Sequence, residues 1–100
     1  MPEVTKNYLR LPVRIHSHFS KFRTVPPSHT NRKDLEWAKK KYGIKRLPRG
    51  SKVLVGKLKK KYKKEAPRGK RVARYEWAIV TLLLPKNSKV AKKVMRKMNK

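Results

Sequence analysis

The sequence predicts a mainly α protein: three to four short basic helices behind an extended N-terminal arm, with a small core that a bound partner completes. Three observations lead there. Pro2, Pro12, Pro26 and Pro27 fall within residues 1–29 and forbid one long helix. Residues 31–43, NRKDLEWAKKKYG, carry helix start and stop signals at their two ends. The hydrophobic share is 37%, below the roughly 45–50% usual for soluble domains, so few apolar side chains are available for a core. The division falls at the first cap. Residues 1–30 read as a basic arm and 31–100 as a small helical domain.

In the arm, Val13, Ile15, Phe19 and Phe22 form one short apolar ridge, in a segment shared with His16, Ser17, His18, Ser20 and Lys21. This suits an extended chain with one irregular turn, lying on a surface rather than packing on itself. Asn31 is then a good N-cap, with Asp34 three residues on as in a capping box. Asp34 and Glu36 suit the positive end of the helix dipole, and Lys39, Lys40 and Lys41 the negative end. Gly43 supplies the left-handed residue that stops the helix, and Ile44 the hydrophobic contact after it. Leu35, Ala38 and Tyr42 share one face.

Ser51 is placed to cap a second helix with Val55, Leu58 and Tyr62 on its stripe; Val53-Leu54-Val55 would equally begin a strand. Ala66-Pro67-Arg68-Gly69 ends that element either way. Over residues 70–84 the length favours a helix and the β-branched and aromatic content a strand. The absence of a hairpin turn decides for helix. Pro85-Lys86-Asn87-Ser88 breaks the chain and offers a cap. Val90, Val94 and Met98, with Ala91 and Met95, then give the last basic helix its apolar stripe.

Charge narrows the function. There are 31 basic residues against 5 acidic ones, a formal net charge of +26. The density peaks over residues 44–74, where Lys45, Arg46, Arg49, Lys52, Lys57, Lys59, Lys60, Lys61, Lys63, Lys64, Arg68, Lys70, Arg71 and Arg74 face Glu65 alone. Neighbouring cations there sit within one Debye length, about 8 Å at physiological salt, so they repel. Pro48, Gly50, Gly56, Pro67 and Gly69 let the backbone bend toward a phosphate surface. Such a stretch needs a polyanion, and nucleic acid is the polyanion expected.

Other function classes fail on inventory. With no cysteine there is no disulfide, thiol nucleophile or Cys-ligated zinc. His16 and His18 stand two apart without a third ligand at zinc spacing, and His29 stands alone. The five acids are spent on helix polarity or scattered, and no Gly-rich phosphate loop or nucleophile elbow occurs. No enzyme, metal, cofactor or small-molecule substrate is expected. The longest apolar run, Trp77 to Leu84, is far short of the ~20 residues a bilayer requires. No secretory segment follows Met1; residues 4–25 are basic, Ser-containing and acid-poor, as organelle presequences are, but Pro12 interrupts the amphipathic helix such a signal needs.

Lys and Arg would bind by neutralising phosphates and releasing counterions; Arg adds a flat fork that stacks on bases. The candidate contacts are Arg10, Arg14, Lys21 and Arg23 of the arm, the fourteen cations of residues 44–74, and Tyr62. Tyr8, Phe19, Phe22 and Tyr42 also lie beside cations and could stack on unpaired bases, while Trp37, Tyr75 and Trp77 read as core. The cations run through the whole chain, with no zinc-finger, homeodomain or zipper pattern, which favours a large folded RNA over a DNA groove. RNA would also complete the small core.

Arms joined to small basic helices resemble small ribosomal proteins. More narrowly, Leu11-Pro12-Val13-Arg14, Phe19, Phe22, Pro26-Pro27, Arg32, Leu35, Ala38, Tyr42-Gly43-Ile44 and Leu47-Pro48 resemble a mitochondrion-specific protein of the large ribosomal subunit known from fungi. This chain departs from it in being shorter and in setting Phe22 four residues before Pro26. The resemblance implies a structural role on large-subunit ribosomal RNA among neighbouring ribosomal proteins, in a mitochondrial ribosome; an archaeal ribosome is the alternative home. Two rivals remain. A DNA-compacting, histone-like protein would fit Lys57–Arg74, which also passes as a nuclear localisation signal. A membrane-active peptide would use the basic helix at 86–100, but the charge spread over the whole chain argues against it.

Overall fold

The longest apolar run in the chain, Trp77 to Leu84, lies in the central strand of an antiparallel sheet. The computed structural model describes residues 3–4, 7–60 and 77–98. The strands are β1 (Glu3–Val4), β2 (Tyr8–Pro12), β3 (Phe19–Val25), β4 (Lys52–Leu58) and β5 (Trp77–Pro85). They pair in the order β1-β2-β5-β4-β3, every neighbour antiparallel. Two helices, α1 (Arg32–Lys41) and α2 (Lys89–Met98), pack on it. This overturns the expected mainly α fold: four strands, with β1 a two-residue addition, form the frame.

The reason lies in β5. Ala78 to Leu82 and Leu84 are all buried, because both faces of the strand are covered. A strand buried on both faces reads as a continuous apolar run and cannot be told from a buried helix by period. Its partners are remote: Leu84 pairs with Leu9, and Leu82 with both Leu11 and Val53. No local hairpin could have announced them. In the β4–β5 pairing Leu54 faces Thr81 while Val55 faces Ile79, so Val80 is a one-residue bulge. It resets the alternation and brings Ile79, Leu82 and Leu84 into one cluster.

That cluster joins Leu9, Leu11 and Val53 to Ala38 of α1 and Ala91 and Val94 of α2. Phe19, Leu58, Ala78 and Val80 form a smaller one. Altogether 16 hydrophobic residues are buried among those described, twelve of them in the cluster that the helices cover. Gly56 is essential to the smaller cluster. A β-carbon there would stand 2.8 Å from Cβ of Phe19 and 3.0 Å from Cγ2 of Val80.

The arm is also corrected. Residues 8–25 supply β2 and β3, with a single 3₁₀ turn at His16–His18 between them. The expected ridge is split: Val13 and Phe19 enter different clusters, while Ile15 and Phe22 are 61% and 43% exposed. Lys52–Leu58 is a strand and not a helix, and Ser51 donates its hydroxyl to the carbonyl of Pro48 at 2.7 Å instead of capping. The turn at 66–69, Tyr62, Val72 and Tyr75 lie outside the described residues.

Both helices begin, and α1 ends, where their local signals put them. Asn31 Oδ1 accepts from the Asp34 amide at 3.1 Å. Gly43 has φ +69°, its amide donates to Lys40 O at 3.2 Å, and that of Ile44 to Lys39 O at 2.9 Å, a Schellman closure. Ser88 caps α2, its Oγ accepting from the Ala91 amide at 3.1 Å.

Candidate nucleic-acid interface

Five acids can offset at most five of 31 cations, and among the described residues only two ion pairs form. One, Lys39–Glu36 at 3.6 Å, lies along the surface of α1. The other is buried. Arg14 Nη2 donates to Asp34 Oδ1 at 2.6 Å, the two side chains being 8% and 3% exposed. Arg14 Nη1 donates to the Ile79 carbonyl at 2.6 Å, and Asp34 Oδ2 accepts from the Ile79 amide at 2.8 Å. β2 pairs with β5 only as far as Pro12–Thr81, so the backbone of Ile79 lacks a strand partner on that side. Arg14 supplies the missing donor and Asp34 the missing acceptor. Lys41 Nζ and the Tyr42 hydroxyl extend the clamp, donating to the carbonyls of Val13 and Pro12.

Arg14 therefore leaves the set of expected RNA contacts. Asp34 is engaged by tertiary partners, not merely by helix polarity. Phe19 is buried in the smaller cluster, and Tyr42 packs on the larger one; neither presents a ring for stacking. Burial pushes the Tyr42 hydroxyl above its ordinary value of 10.0. Conversely Trp37, expected in the core, is 38% exposed beneath the Arg14 guanidinium, which sits 4.5 Å from its ring centroid.

The remaining described candidates fall into three places. Arg10, Leu83 and Lys52 make one cross-strand row. Alternation puts that row on the face opposite Leu9, Leu82 and the helices. Tyr8 lies two residues along β2 from Arg10, with Lys52 Nζ 5.9 Å from its ring. Phe22 is on this face too, its ring 5.6 Å from His16. Lys45, Arg46 and Arg49 are exposed on the segment between α1 and β4, and Lys60 just beyond β4, with Lys59 half-buried.

The third place is the end of the helix-bearing face that the helices leave open. Lys21 pairs with Lys57, and Lys57 with Trp77, in one row. Arg23, two residues along, holds its guanidinium 4.6 Å from the Trp77 centroid. Beside it opens a cleft of about 260 Å³ lined by Arg23, His29, Asn31, Val55, Trp77 and Ile79 among others. Trp77, expected in the core, packs against the larger cluster and is half-buried at the cleft wall. Sequence reasoning missed the cleft because its walls come from residues 23–31, 55 and 77–79, which only the sheet register brings together. Lys61, Tyr62, Lys63, Lys64, Arg68, Lys70, Arg71 and Arg74 lie outside the described residues.

Among the described residues no helix is long and apolar enough to cross a membrane, and no group of three His, Asp or Glu is placed to hold a metal. No protein-family model, curated protein or solved structure matches the chain.

Proposed function

We propose that this chain is a structural constituent of the ribosome that binds and clamps ribosomal RNA through phosphate contacts, without catalysis. The observation that carries the reading is the number of cations without an acid partner: 31 basic residues against 5 acidic ones, with one acid already spent in a buried pair. Exposed cations occur on both sheet faces and on the loop from Lys45 to Arg49. A protein charged all round is matched by a concave polyanion that surrounds it, as the grooves of a large folded RNA do; a linear duplex meets one side only. Phosphate binding of this kind supplies affinity without sequence information. Assignment to the large subunit and to a mitochondrial ribosome rests on the resemblance of residues 11–48.

Sedimentation of the native protein from a lysate, with and without RNase, tests this. Co-sedimentation with a ribosomal subunit, abolished by RNase, is expected. A protein that stays at the top of the gradient in the untreated lysate contradicts it, and one released by DNase instead is a DNA-compacting protein.

A further inference from the structure

We infer that the cleft between β3, β5 and the start of α1 receives one unpaired base of the bound RNA, stacked on the Arg23 guanidinium. This rests on the RNA-binding reading above and gives it a place where more than phosphate is read. The first observation is the stack already present. The Arg23 guanidinium lies over the Trp77 ring, its carbon centre 4.6 Å from the ring centroid. Yet it is exposed, and no acceptor among the described residues takes its N–H groups. A guanidinium with one face on an indole and the other toward solvent is half of a stacking site, and bases complete such sites.

The second observation is the shape and lining. An apolar cavity of about 150 Å³ is enough to hold a benzene ring, and this cleft measures about 260 Å³. Val25, Val55, Ile79 and Trp77 supply its apolar lining, while His29, Thr30, Asn31 and the buried Asp34 supply its polar lining. Flat apolar faces bounded by polar edges are the chemistry of a nucleobase; a phosphate would find no use for the apolar lining. Asn31 is fixed in orientation, because its Oδ1 accepts from the Asp34 amide as the cap of α1. Its Nδ2 is then a donor in the lining without a protein acceptor among the described residues, suited to a carbonyl or ring nitrogen on a base edge. Lys21 and Lys57 stand opposite each other on β3 and β4 beside Arg23. Lys21 is exposed two residues along β3 from Arg23, where it can meet the phosphate of the same nucleotide.

The test uses the full chain carrying Trp37→Phe, which leaves Trp77 as its only indole. Two hexaribonucleotides of equal charge are titrated in, at a salt concentration that weakens phosphate binding. One bears a single adenine among base-free riboses; the other is base-free throughout. The adenine strand is expected to bind about 5- to 150-fold more tightly, as stacking of one base on a platform allows, and to quench Trp77. Arg23→Lys in the same background keeps the charge but not the plane, and is expected to remove the difference between the strands. Equal affinity for the two, with Trp77 fluorescence unchanged, overturns the cleft as a base site and leaves RNA binding standing. Failure of both strands and of a folded ribosomal RNA fragment to bind, at low salt as well, overturns the RNA reading itself.

Discussion

Two arginines lie over two tryptophans in this molecule, at nearly the same distance, and do different work. Arg14 stands 4.5 Å from the Trp37 centroid and Arg23 4.6 Å from that of Trp77. Arg14 is spent on Asp34 and on the Ile79 carbonyl, and is buried. Arg23 has no such acceptor among the described residues and faces solvent over an open cleft. Residue type and stacking partner are the same. The acceptor inventory differs, and it decides which cation builds the fold and which stays exposed. In a chain with 5 acids, that choice is made at very few places.

The largest expected effect comes from breaking the first pair. Asp34→Ala leaves a buried guanidinium without its anion and the Ile79 amide without its acceptor. Loss of one partner from such a pair costs about 3–5 kcal/mol, read as a lower midpoint in urea denaturation. Asn31 belongs to both regions, capping α1 and lining the cleft. Asn31→Ala should cost about 0.5–2 kcal/mol, whereas Asn31→Ser keeps the cap and removes only the amide donor. If circular dichroism and denaturation find the Ser variant as unstable as the Ala variant, the capping assignment fails.

A smaller effect belongs to Tyr42, whose hydroxyl donates to Pro12 beside the Arg14 clamp. Tyr42→Phe should cost about 0.5–1.5 kcal/mol near neutral pH. It should also change the alkaline limb of the stability profile. The folded-state pKa is raised above 10.0, so the unfolded chain loses its proton first. The stabilisation from this group is full below about pH 10 and is lost as pH rises through the folded value. The Phe variant should lack that part of the decline; an unchanged alkaline slope would show that the burial of Tyr42 is not coupled to folding. Smallest of all is Arg23→Lys, which should move stability by no more than about 0.5 kcal/mol, as exposed substitutions do. A loss as large as that of Asp34→Ala would erase the distinction between the two arginines.

How much of this the sequence disclosed depends on how local each signal is. Helix α1 was legible because Asn31, Gly43 and Ile44 act within a turn of the backbone they cap. The same holds for Ser88 and α2. The sheet was not legible, because β5 has no period of its own and its partners begin 69 and 25 residues earlier, at Tyr8 and Lys52. In Tyr8–Pro12 the inward Leu9 and Leu11 do alternate, but over five residues ending in proline the pattern passes for an extended arm. The excess of cations was plain from composition. Which ones the fold consumes was not, since Arg14 and Arg23 stand in one basic segment and only register sends one inward and the other out. Trp77, expected in the core, does pack against the larger cluster while supporting Arg23, whereas Trp37 is left exposed beneath Arg14.

The most direct measurement follows the indole N–H resonances of the two tryptophans as a short single-stranded RNA is titrated into the protein. Trp37→Phe identifies which signal is which. The Trp77 signal should move and saturate with binding, while that of Trp37 keeps its position, because Arg14 and Asp34 hold its surroundings fixed within the fold. A Trp37 signal that shifts while Trp77 stays still would contradict the division between the two arginines.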